Sequence, residues 1–195
     1  MRPVALMVLL SIAAWAGDKE KTPFKPGPAS SYPGFQTLDK ITIAAVPFIT
    51  EEQAQQAFGK VNPYQHGVLP VLVVLENGTG KALRLELQAE LVEPDRQHLE
   101  AVPAEDVPRL QGPKQPKIPG TSPLPPLHKN KSPLDTWEIV GRAFNARMAP
   151  IGDTVSGFFY FQARYRPGSK LYLTGIKDAG TGKDYFYFEV PLDTK

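Results

Sequence analysis

The sequence predicts a mostly β, two-sheet sandwich with two short helices and a proline-rich insertion. Three observations carry that expectation. Apolar runs of strand length recur along the chain, glycine- and asparagine-rich turns separate them, and only two short stretches have helical spacing. The chain has 195 residues, 42% of them hydrophobic and 22% charged, which suits one globular domain able to bury a core. Its 21 prolines, about twice the usual share of roughly 5%, disfavour long helices.

The N-terminus reads as an export signal. Arg2 is followed by an apolar run from Val4 to Ala14, and Ala14-Trp15-Ala16 supplies small residues for cleavage after Ala16. Residues 1–16 are therefore expected to be removed. The run ends at Asp18, short of the roughly 20 apolar residues a membrane span needs, so no transmembrane segment is expected after cleavage. Without cysteine the chain has no disulfide and no lipoprotein attachment point. The expected location is periplasmic or extracellular. Loss of Arg2 leaves 21 Lys and Arg against 20 Asp and Glu. A balance this even gives no concentrated basic face for nucleic acid.

Residues 17–37 mix lysines with four prolines and read as a flexible tether, which places the domain at 38–195. Ile41, Ile43 and Val46 predict a first strand ended by Pro47. Thr50 with Gln53 makes a capping box for a helix through Ala54, Ala57 and Phe58 to Gly59. Leu69 to Leu75 predicts a central strand. Leu83 to Leu91 alternates with charged residues and predicts a strand with one wet face. Glu76 to Lys81 between them has the residues of a hairpin turn.

Pro103 to Pro133 holds nine prolines, and Arg109 to Lys131 has five basic residues and no acid. This insertion, 103–133, is expected to be solvated and polyproline-like. Asp135 is positioned to cap a short helix with Trp137, Val140 and Phe144 at helical spacing, with a strand over Thr136 to Val140 as the alternative. Val155 to Tyr165, Lys170 to Ile176 and Tyr185 to Leu192 predict three successive antiparallel strands.

The run Leu69-Pro70-Val71-Leu72-Val73-Val74-Leu75-Glu76-Asn77, followed later by Pro150-Ile151-Gly152-Asp153-Thr154-Val155-Ser156-Gly157-Phe158, resembles secreted bacterial immunoglobulin-like β-sandwich proteins. These pair an apolar strand ending in asparagine with a later Pro-x-Gly turn and a Gly-aromatic strand. The resemblance implies an immunoglobulin-like sandwich from about residue 40 onward and brings no catalytic residues with it.

No catalytic, cofactor or metal site is legible. Gly78-Thr79-Gly80-Lys81 and Gly180-Thr181-Gly182-Lys183 lack the upstream glycine and following Ser or Thr of a phosphate loop, and read as turns. His66, His98 and His128 have no helical partner spacing for a metal, and Asp178 to Asp184 has glycines where a calcium loop needs carboxylates. Ser156-Gly157 lacks a nucleophile elbow, and Glu51-Glu52 and Glu105-Asp106 suit helix starts. The leading expectation is a non-catalytic binding or assembly module of the bacterial envelope or extracellular space, contacting an envelope protein or polysaccharide. Its candidate contacts are Lys114, Lys117, Lys129 and Lys131 of the insertion and the tyrosines Tyr160, Tyr185 and Tyr187. Strand alternation turns those tyrosines outward and Phe159, Phe161, Phe186 and Phe188 inward. The alternative is a secreted hydrolase or metal-handling protein whose site is assembled from distant residues.

Overall fold

The computed structural model describes residues 24–110 and 132–193. Residues 1–16, expected as an export signal, residues 17–23 of the expected tether, and Lys114, Lys117, His128, Lys129 and Lys131 lie outside the described residues. The described residues form two antiparallel sheets. The first has the order β1 (Phe35–Leu38), β2 (Ile41–Pro47), β3 (Leu69–Asn77), β7 (Thr154–Phe161). The second has the order β5 (His98–Glu100), β4 (Leu83–Val92), β8 (Lys170–Asp178), β9 (Tyr187–Pro191), with the two-residue β6 (Met148–Ala149) also on β4. Helix α1 (Glu51–Phe58) follows β2, and α2 (Trp137–Gly141) precedes β6. The two antiparallel sheets form a two-sheet β-sandwich.

Two apolar cores flank the first sheet. Leu69, Val71, Val73 and Leu75 point into the core between the sheets, whereas Leu72 and Val74 point into a second core on the opposite face. That second core is closed by Phe58 of α1, Ile139 of α2, Val107, Leu134, Phe158 and Tyr160. Strand β3 is apolar nearly throughout because both its faces are covered, as its sequence predicts for a central strand. Strand β4 has only one covered face, and its burial alternates accordingly over most of its length.

The capping box of α1 forms as predicted, with Thr50 accepting from the Gln53 N–H and the Gln53 side chain accepting from the Thr50 N–H. Helix α2 also forms, but its buried residue is Ile139, while Trp137 is exposed. Its N-cap is Thr136, not Asp135.

Four expectations about the path and pairing of the chain need correction. The chain from 24 to 37 is not a tether: β1 pairs with β2, Ala29 is fully buried, and the Ala29 N–H donates to Glu76 at 2.7 Å. Phe24 and Ala29 carry enough apolar surface to close the second core, despite the prolines around them. The start of the insertion is packed as well, since Ala104 and Val107 are buried in that core. Strands β3 and β4 do not form a hairpin, because β2 and β7 already occupy both edges of β3 and the chain crosses to the other sheet. For the same reason β7, β8 and β9 are not three neighbours; only β8 and β9 pair.

The crossing from β3 to β4 is organised by Asn77, whose exposure is 2%. Its amide nitrogen lies 2.7 Å from the Lys81 carbonyl and 2.9 Å from those of Ala149 and Pro150. Its carboxamide oxygen accepts from the N–H and hydroxyl of Thr79. Its backbone also bonds Gly152 and Asp153. The asparagine at the end of the apolar run and the later Pro-x-Gly turn are thus two halves of one contact.

The two Gly-Thr-Gly-Lys segments are turns and are joined to each other. Lys81 donates to Asp178 at 2.8 Å, and Asp178 also accepts from the Gly180 and Thr181 N–H groups. These donors hold the Asp178 carboxyl well below the usual carboxylate range, the Lys81 ammonium first among them. A lowered folded-state pKa contributes stability above the unfolded value of roughly 4, and that stability is lost as pH falls through and below it. The melting temperature is therefore expected to decline more steeply below about pH 4 in the natural chain than in Asp178→Asn, where this carboxylate is missing. Parallel acid profiles of the two proteins would assign the acid sensitivity elsewhere.

Candidate functional site

The edge of β4 that faces away from β8 is only partly covered. β6 pairs with Leu83 and Arg84 at one end, and β5 pairs with Glu90, Leu91 and Val92 at the other. Backbone bonds from Leu85 to Arg147 (2.8 Å) and from Ala101 to Ala89 (3.0 Å) bracket a gap at residues 86–88. Two segments cross between the sheets beside this gap. One leaves β5 and reaches the edge of β7, where the Val102 N–H donates to Tyr160 at 2.7 Å. The other returns from β7, where the Phe144 N–H donates to Phe158 at 3.0 Å, and runs on to β6.

Between the two crossings lies an open cleft of about 480 Å³. Leu87, Phe144 and Phe159, each partly buried against the main core, supply its apolar lining. The Phe144 and Phe159 rings are stacked, with centroids 5.5 Å apart. Glu90, Glu100 and Glu105 supply its carboxylates.

Two glycines permit this arrangement. A Cβ on Gly157 would collide with the Phe144 Cα, so only glycine lets Phe144 cross the strand there. Gly175, at φ 87°, faces the β4 bulge between Leu85 and Gln88, and a Cβ on it would collide with the Glu86 carbonyl oxygen.

Charge on the wet face of the second sheet is mostly paired. Lys177 and Arg84 both reach Glu86, whose carboxyl is held below the usual range by the Lys177 hydrogen bond and charge. Lys170 pairs with Glu189 at 3.1 Å. The cleft differs. Glu90 and Glu100 stand directly opposite each other in the antiparallel register. His98 Nδ1 lies 2.7 Å from Glu90. Among the described residues, Glu100 and Glu105 have no ion-pair partner.

His98 connects the cleft to an aromatic strip. Its ring meets Tyr172 edge-on at 6.5 Å, and Tyr172 stacks on Tyr187 at 5.3 Å. Of the tyrosines expected outside, Tyr187 is exposed, but Tyr160 and Tyr185 are not. Tyr160 is buried because β7 has a core on each face, and its hydroxyl donates to the Ile139 carbonyl at 2.7 Å. That burial raises its pKa, so the hydroxyl stays a proton donor. Tyr185 is buried because Phe186 adopts φ 60° and breaks the alternation, which leaves Phe186 exposed and Tyr185 on the core side.

Glu90, Glu100, His98 and Tyr172 join this surface without a contact signal in the sequence, beyond the alternation that turns Glu90 and Tyr172 to the wet face. Glu105 and Asp106 do stand at a helix start, the 3-10 helix Val107–Arg109, with Asp106 at its N-cap. His66 is exposed in a second 3-10 turn, and among the described residues no three His, Cys, Asp or Glu side chains gather as metal ligands. Among those residues no helix is long and apolar enough to cross a membrane. No protein-family model matches the chain, and no curated protein matches it.

Proposed function

We propose that the chain is a non-catalytic binding module of the bacterial envelope or extracellular space, with its binding surface at the flank cleft and the adjoining aromatic strip. The cleft is the observation that supports this reading. It is a concave site with a stacked Phe144–Phe159 floor at a break in a strand edge, and such sites hold small ligands or single side chains of a partner. Tyr172 and Tyr187 extend the surface with rings whose area is apolar and whose hydroxyls stay wet. The export-type N-terminus supports the compartment.

The test is capture from envelope extract and from insoluble envelope polysaccharide, with the natural chain and Asn145→Trp as paired baits. Asn145 is exposed and lines the cleft, so the indole obstructs the site without entering the core. A protein or glycan retained at least about tenfold better by the natural chain is the expected result, equivalent to roughly 1.4 kcal/mol of binding. Equal retention would remove the cleft as the binding surface.

A further inference from the structure

We propose that the cleft takes an extended peptide segment bearing lysine or arginine, a ligand class that rests on reading the cleft as the binding surface. Its lining contains three carboxylates, Glu90, Glu100 and Glu105, and no Lys or Arg. The chain as a whole carries a formal net charge of +2, so this is a local concentration of one sign. Like charges directly opposite on paired strands destabilise a sheet. Glu90 and Glu100 are such a pair. His98 reaches Glu90 only, and Glu100 and Glu105 lack an ion-pair partner among the described residues. A bound cation relieves that repulsion.

The apolar lining narrows the cation to one with a hydrocarbon stem. Lysine and arginine cover apolar surface with their methylenes while the charged head stays among polar groups. Leu87, Phe144 and Phe159 suit the stem, and the carboxylates suit the head. A bare metal ion does not fit, since among the described residues no three ligand side chains gather. The volume, about 480 Å³, has room for a residue or two of a peptide and not for a folded domain. Among the described residues no strand covers the outer edge of β4 between Leu85 and Ala89, which leaves an extended peptide, unlike a free amine, a strand edge to lie along.

The test uses the full chain and three probes by fluorescence anisotropy: a labelled acetyl-Val-Arg-Val-Arg-Val amide, its Val-Glu counterpart, and spermidine as competitor. The Arg peptide is expected to bind saturably and more weakly as salt rises, because exposed charges are screened. Glu100→Gln with Glu105→Gln is expected to weaken it about tenfold or more, while the melting temperature holds or rises. That combination separates a ligand contact from a structural role. Equal binding of the Arg and Glu peptides, an undiminished affinity in the double variant, or displacement by spermidine at concentrations matching the peptide would overturn the proposal. Should the Arg peptide fail while capture still depends on Asn145, the ligand class falls and the binding module stands. Capture indifferent to Asn145→Trp removes both.

Discussion

Asn77→Ala is expected to cost about 3 kcal/mol of stability, from small terms that act together: a buried donor lost and carbonyls left unmatched at roughly 1–3 kcal/mol each where they stay dry. For a domain of this size that is a fall of roughly 6–12 °C in melting temperature. The loss follows from geometry. One amide nitrogen serves the carbonyl of Lys81 and those of the adjacent Ala149 and Pro150, two segments far apart in the chain. Asn77→Asp is the sharper variant, since it keeps the shape and puts a carboxylate oxygen against those three carbonyls. It is expected to destabilise at least as much as alanine. Thermal melts in which aspartate is tolerated would mean that the amide does not hold this corner.

Gly175→Ala is the second large effect. At φ 87° an L-residue is strained, and here the added Cβ also runs into the Glu86 carbonyl, so backbone must move. Strain of this kind costs roughly 1–2 kcal/mol, and the clash raises the total to about 3 kcal/mol or more. Gly152→Ala provides the comparison, because Gly152 has φ 73° but nothing within 4 Å of its Cβ. It should cost only about 1–2 kcal/mol. Equal urea midpoints for the two variants would show that the β4 bulge yields to the added methyl.

Much of the fold is legible in the sequence because it rests on local chemistry. The capping box at Thr50 and Gln53, the doubly buried run of β3 and the alternation of β4 each report their own environment. Pairing between strands is not local. Turn residues between β3 and β4 fit a hairpin and a sheet-to-sheet crossing equally well, and the choice is made by β2 and β7, which occupy the edges of β3.

The candidate site is less legible for a related reason. Glu90, Glu100, Phe144 and Phe159 come from four segments that converge only after both crossings form. Two of the three outward tyrosines are lost to single facts of the same sort. A second core lies behind β7 and buries Tyr160, and one left-handed residue at Phe186 shifts Tyr185 inward. Tyr187 lies beyond that break and keeps the outward position that alternation assigns.

The three-residue β5 and the two-residue β6 that frame the cleft have a dynamic consequence. Amide protons of β3, paired on both edges and buried on both faces, exchange with solvent only when the domain opens widely. Those of β5 and β6 sit on the outer edge of β4 in short ladders and are released by local opening at much lower free energy. The walls of the cleft therefore breathe while the interior stays shut. A ligand bound there is expected to slow the exchange of these edge amides.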